Sequence, residues 1–257
     1  MIAVALASLA TLTACGTPSD PSAIATPDSS LTASSYPRIA VVQDHKAKND
    51  RWWRYDYPTF MAADDSTATT AIATDLNLQV TADRTAFEAR SGTDCHNEVL
   101  PDEKCAFNVT IAQQYSSERV VVITLSSYLM LAGGAHGDAA LRTYAYDAKT
   151  GDPISLTDEF RDGALDRFRE AILNKVPEQA GAFGDTMWSK QEVRDVLYGP
   201  DAFLAWTVDD YGISVQFNSY LLGPYSSGQP TIWFSWDEVN SLLNPDSVLL
   251  PSNEHSR

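Results

Sequence analysis

The sequence predicts an α+β fold, a mainly antiparallel sheet with packed helices. Three observations predict it. A β-rich middle, residues 106–156, alternates apolar stretches with polar turns. Two capping boxes, Ser189-Lys190-Gln191-Glu192 and Ser235-Trp236-Asp237-Glu238, open segments with one apolar helical face. A hairpin pattern lies between them, turning at Asp209-Asp210.

In chain order, residues 51–57 alternate, with Trp53, Tyr55 and Tyr57 facing one way and Arg54 and Asp56 the other. That is a strand signal ended by Pro58. Over residues 66–89, Ile72, Leu76 and Val80 recur every four residues, while Leu76, Leu78 and Val80 also alternate. The alanines favour helix over strand. Residues 106–114 and 119–126 each predict a strand, joined by a turn around Ser116-Ser117. Val120-Val121-Val122-Ile123 is unbroken, as in a strand buried on both faces. Residues 141–146 and 153–156 flank a hairpin loop in which Gly151 supplies a left-handed backbone angle.

Leu165, Phe168, Ile172 and Val176 predict a helix stopped by Pro177. After the first capping box, Val193, Val196 and Leu197 point inward and Gly199-Pro200 stops the helix. Residues 203–207 and 212–217 form the hairpin, and residues 231–234 the last strand. The second capping box opens a helix with Val239, Leu242 and Leu243 on its buried face and Asn244-Pro245 as its stop. No internal repeat is evident.

The apolar run at residues 2–10 is too short for a bilayer, which needs ~20 residues. It suits the h-region of a signal peptide. No Lys or Arg precedes it, so a start upstream of Met1 is one reading. Leu12-Thr13-Ala14-Cys15 resembles the lipobox of bacterial lipoproteins. That resemblance implies acylation of Cys15, export, and a lipid tether to the cell membrane or outer membrane, facing periplasm or exterior. An ordinary signal peptide with a chance cysteine is the alternative. Three cysteines are present, and acylating Cys15 leaves Cys95 and Cys105. An oxidising envelope favours pairing them, with a gain of about 2–3 kcal/mol for so short a loop. Residues 16–35, rich in Ser, Thr, Pro and Ala, read as a disordered tether.

Apolar content of 44% is globular. The formal net charge of −16 repels phosphate backbones and argues against nucleic acid as a partner. It attracts basic proteins, or simply keeps the chain soluble.

The sequence offers no catalytic, cofactor or metal assignment. G-x-S-x-G, S-x-x-K and H-E-x-x-H are absent from the sequence. His96-Asn97-Glu98, Pro101 and Cys105 lack the second close cysteine of a zinc-deaminase site. His136, in Gly133-Gly134-Ala135-His136-Gly137-Asp138, reads as part of an acid–base site or as a structural residue in a tight crossing. The glycines favour the second. Asp64-Asp65 and Asp209-Asp210 read as a helix start and a turn rather than as paired catalytic acids. Aromatics crowd residues 198–236, most of them expected in the core and a subset available for a binding surface.

Two motifs carry a further resemblance. The first is Gly133-Gly134-Ala135-His136, followed by Tyr146-Asp147, Thr150-Gly151 and Ile154-Ser155-Leu156-Thr157-Asp158-Glu159-Phe160. The second runs from Phe217-Asn218-Ser219-Tyr220-Leu221-Leu222 through Gly223-Pro224-Tyr225-Ser226-Ser227-Gly228 to a strand and a helix. Together they resemble the envelope domain of unknown function in RsiV-type anti-sigma factors, which bind lysozyme. The same domain accompanies some peptidoglycan deacetylases (PdaC-like) and is similar to the mycobacterial secreted immunogenic-protein family. Relatives often carry proline after the motif histidine, where this chain has Gly137. The expected organisation is a signal peptide (1–14), the lipidated cysteine and tether (15–35), an N-terminal α+β subdomain (36–100), a C-terminal RsiV-like domain (101–250) and a disordered tail (251–257). The resemblance implies a lipid-anchored, non-catalytic envelope module that binds lysozyme, another basic protein, or peptidoglycan. Gly133, Gly134, His136, Tyr220, Pro224, Tyr225 and Gly228 are its candidate ligand residues. Two alternatives stay open. One is an envelope hydrolase with a dispersed site that includes His136. The other is a structural or antigenic surface lipoprotein.

Overall fold

The computed structural model describes residues 39–42, 53–91, 105–179, 189–199, 202–222 and 228–251. The predicted leader, the tether, Cys15 and Cys95 lie outside the described residues. The described part is an α+β fold with three sheets.

The central sheet holds β2 (Trp53–Asp56), β4 (Cys105–Ser116), β5 (Val120–Met130), β6 (Asp138–Asp147) and β7 (Pro153–Ile154), in the order β2-β4-β5-β6-β7. Only β2–β4 is parallel. A second sheet pairs β1 (Ile39–Val42) with β3 (Thr59–Ala62), antiparallel. The third is β8 (Ala205–Val208), β9 (Gly212–Gln216) and β10 (Thr231–Ser235), antiparallel in the order β10-β9-β8.

The four-residue run in β5 shows how the layers are held. Side chains alternate across a strand, and this strand feeds two cores. Val121 and Ile123 join Phe107, Val109 and Tyr146 against helix α1 (Thr67–Ser91), through Ile72, Leu76 and Val80. Val120 and Val122 face the opposite way. They join helix α2 (Ala164–Gln179), helix α3 (Lys190–Leu197) and the third sheet, where Phe168 sits 4.8 Å from Phe160 and 5.0 Å from Phe234 between ring centroids.

The four-residue period in residues 66–89 correctly gives α1. Its exposed threonines satisfy their hydroxyls on carbonyls four residues back, as Thr74 does on Thr70 at 2.8 Å. The stacked carboxylates of α1 grip β6. The Tyr146 hydroxyl donates to Asp75 at 2.8 Å, the Tyr144 hydroxyl to Asp83 at 3.1 Å, and Arg142 to Asp83 at 3.0 Å. Burial first, then the neighbouring carboxylate, pushes the Tyr144 phenol up to about 12 and raises Tyr146 further.

Both capping boxes form: each serine oxygen accepts from the backbone of Glu192 or Glu238, and that glutamate accepts from the serine N–H in return. β5 runs on to Met130, β6 starts early at Asp138 and β9 ends at Gln216; four further boundaries also differ from expectation. Pro177 does not end α2, which continues to Gln179. Proline loses a donor but keeps a helical φ, so a last turn can pass through it. The second capping box opens only one turn, α4 (Trp236–Val239), because Leu243 leaves the helix to bridge Phe160. Phe203 precedes its strand instead of starting it, since its φ of 61° is left-handed. Leu156 opens a 3₁₀ turn, Leu156–Glu159, rather than ending β7.

Candidate binding site

A strand of ten residues needs partners on both sides, and β7 covers only the Ala145–Tyr146 end of β6. The remaining outward groups of β6 are sealed one by one. The Thr143 N–H donates to the Leu204 carbonyl at 2.8 Å. Asn218 meets Leu141 with its whole amide: Oδ1 accepts from the Leu141 N–H at 2.6 Å, and Nδ2 donates to the Leu141 carbonyl at 3.0 Å. Gln229 Nε2 donates to the Ala139 carbonyl at 3.3 Å. This blunts an edge that would otherwise invite another strand.

Asn218 belongs to the second sequence motif and Gln229 directly follows it, while β6 begins just after Gly133-Gly134-Ala135-His136. Two segments some eighty residues apart in sequence are therefore fastened to one end of one strand. In the first loop, Gly133 takes φ 78° and the Gly134 N–H closes a turn onto the Leu131 carbonyl at 3.0 Å. His136 is exposed, and its Nδ1 lies 3.1 Å from the Gly137 carbonyl. A carbonyl only accepts, so Nδ1 carries the proton in that contact. Gly137 is buried, and its N–H donates to the Tyr128 hydroxyl at 3.0 Å. A Cβ there would stand 2.1 Å from the tyrosine ring. This pairing accounts for glycine where the resemblance expects proline, which has no N–H to give.

In the second loop, Tyr220 is 53% exposed at φ 68°. A non-glycine residue held left-handed marks local strain of a kind that gathers at functional surfaces. Gly228 is also left-handed, at φ 70°. Pro224 and Tyr225 lie outside the described residues. The site thus brings Gly133, Gly134 and His136 to the same strand end as Tyr220 and Gly228. Sequence reasoning missed Asn218 and Gln229 as the fasteners. An asparagine beside a strand end was the only available signal.

The remaining candidates serve the backbone. Asp64 Oδ1 accepts from the Ser66 N–H at 2.9 Å, just before α1. Asp209 Oδ1 accepts from Tyr211 and Gly212 at 2.7 and 2.8 Å, closing the β8–β9 turn. Cys105 is buried at the start of β4 and accepts from the Ala132 N–H at 3.4 Å. Of the crowded aromatics, Phe203, Trp206, Phe217, Phe234 and Trp236 are core, while Tyr198, Tyr211, Tyr220 and Trp233 are exposed. Among the described residues, no cluster of three or more His, Cys, Asp or Glu is placed to hold a metal. Among them, no helix is long and apolar enough to cross a membrane.

The architecture is that of an α+β domain with a central five-stranded sheet between two layers. The same fold occurs in a DUF3298 family protein from Pseudomonas aeruginosa PAO1, at TM-score 0.54 and 19% identity, covering 84% of this chain and 96% of that one. It occurs also in a DUF3298 family member from Bacteroides fragilis NCTC 9343, at TM-score 0.52 and 16% identity, covering 83% and 96%. No protein-family model matches the chain. No curated protein matches it either. The likeness is one of fold: the chain shares the architecture of these DUF3298 family proteins.

Proposed function

We propose that this chain is a lipid-anchored, non-catalytic binding module of the bacterial cell envelope. Its recognition surface is formed by residues 131–138, 218–222 and 228–230, and its partner is a basic protein such as lysozyme. The observation that carries the reading is the fastening of the second loop to β6 by Asn218 and Gln229, at the strand end into which the first loop leads, with Tyr220 left exposed. A rigid, exposed aromatic is the usual anchor of a protein interface. The loops themselves hold few charges, so the net charge of −16 acts by steering a cationic partner toward them. The lipobox supplies the anchor at Cys15, and the oxidising envelope favours a Cys95–Cys105 disulfide.

The test is calorimetric titration of the soluble part, residues 36–250, with lysozyme at low and physiological salt. Saturable one-to-one binding that survives physiological salt supports the reading. Tyr220→Asn, which tolerates the left-handed backbone, then weakens binding at least about tenfold while leaving the unfolding midpoint in place. Absence of binding, or binding that vanishes with salt, overturns it and moves the search to cell-wall glycans. Mass spectrometry of the exported protein checks acylation at Cys15, which Cys15→Ala removes.

A further inference from the structure

The opposite end of β5, roughly 34 Å from the two loops for ten strand steps, opens into a cleft of about 330 Å3. The β4 register shifts between Ile111 and Gln113. Such a bulge flips the faces that follow it. Phe107 and Val109, before it, join the α1 core, whereas Tyr115, after it, packs against the other core and lines the cleft. The Tyr115 hydroxyl donates to Asp210 Oδ1 at 3.3 Å. Its neighbour Ser116 pairs with Val121 and so turns its side chain to the α1 face, away from the cleft.

The facing wall is residues 248–251, and it is fixed in place. Arg119 donates to the carbonyls of Ser247 at 2.7 Å and Leu250 at 3.3 Å. Glu159 accepts from the Ser247 hydroxyl at 2.5 Å and the Val248 N–H at 3.1 Å.

We propose that this cleft binds a small, neutral, hydroxylated ring, such as a single sugar residue. Its volume is at the lower end for small-molecule pockets, about 300–1,000 Å3, which suits one ring. An anion would meet the Asp210 carboxylate while Arg119 is committed to backbone carbonyls. A cation would find one carboxylate, already accepting from Tyr115, with Arg119 close by. A hydroxylated ring satisfies what remains: its hydroxyls pair with Asp210 and the Tyr115 phenol oxygen, and its apolar face lies on Leu249, Leu250 and the Trp236 wall.

The experiment is a nuclear magnetic resonance titration of the full chain with glucose and N-acetylglucosamine. It follows the indole N–H of Trp236, which donates to the Asp209 carbonyl at 3.2 Å, and the amides of Tyr115 and Ser116. Saturable shifts confined to this cleft are expected from at least one of the two sugars. Asp210→Ala, an exposed position, weakens them about tenfold, as loss of a hydrogen bond to a charged group does. Tyr115→Phe, which removes the phenol oxygen at the cleft wall, weakens them as well. Chitobiose separates two sources of the same ring: retained binding marks the end of a glycan, and lost binding marks a free monosaccharide. Three results overturn the proposal: no saturable shift from either sugar, unchanged affinity in both variants, or glucose 6-phosphate binding as tightly as glucose. None of them bears on lysozyme binding at the other end of the strand.

Discussion

Asn218 forms with Leu141 the pair of hydrogen bonds that a neighbouring strand would have formed, at 2.6 and 3.0 Å. Asn77 does the same for Phe60 on β3, at 3.0 and 2.9 Å. In both places a side-chain amide stands in for a strand and closes an edge. Asn218→Ala leaves a backbone donor and acceptor unpaired in a half-buried setting. It lowers stability by about 2 kcal/mol, read as a fall in the urea midpoint. Asn218→Asp keeps the acceptor and loses the donor, so it recovers part of that loss.

The contact of α1 with β6 fails in alkali. Unfolded tyrosines ionise near pH 10, whereas burial holds Tyr144 and Tyr115 protonated to about 12 and Tyr146 beyond that. Between these limits the folded state binds more protons than the unfolded one, so stability falls as pH rises. It is fully present below pH 10 and declines from there through 12. Urea midpoints across that range check this, and Tyr146→Phe flattens the decline.

Acid acts through Glu238. Its carboxyl is held below the usual range by Lys175, at 2.6 Å, and by the Ser235 backbone. A depressed carboxyl stabilises above its unfolded value, near 4.3, and that contribution is lost as pH falls through the folded value. Glu238→Gln removes the acid dependence contributed by this group. A comparison of thermal midpoints at pH 6 and pH 3 shows the difference shrinking in the variant.

Glycine substitutions rank by what the new methyl meets. At Gly212 a Cβ lies 1.9 Å from the Phe234 carbonyl oxygen, which is backbone of the paired strand and cannot step aside. Gly212→Ala costs about 3 kcal/mol. At Gly137 the obstacle is the far end of the Tyr128 ring, which can rotate away, losing its bond from the Gly137 N–H and its weak one to Met130 Sδ. Gly137→Ala costs about 1 kcal/mol. Chemical denaturation of both variants gives the ranking, and the reverse order refutes the argument.

Much of the fold was legible because local chemistry decided it. Serine and glutamate three residues apart closed both capping boxes, Gly151 took φ 79°, and Asp209 organised its turn. The unlegible parts depend on partners distant in sequence. The strands β1 and β3 have no strong pattern of their own and exist through each other. The shortness of α4 follows from Leu243 reaching Phe160, some eighty residues away. In the candidate site, the motif residues were visible as a set. The Asn218–Leu141 fastening that makes them neighbours was not, because no spacing rule links an amide to a strand edge 77 residues away. The Tyr115 cleft was hidden for a related reason: a bulge reverses facing, and nothing in residues 105–116 announces where the extra residue falls.

The double loyalty of β5 has a kinetic meaning. Val121 and Ile123 anchor one layer, and Val120 and Val122 anchor the other. Freeing either layer therefore strips one face of the strand that the second layer needs. Partial melting gains little, and the layers come apart together as one cooperative unit. The amide protons of residues 120–125 are then the last to exchange with deuterated solvent, at a rate set by complete unfolding, whichever layer is weakened first.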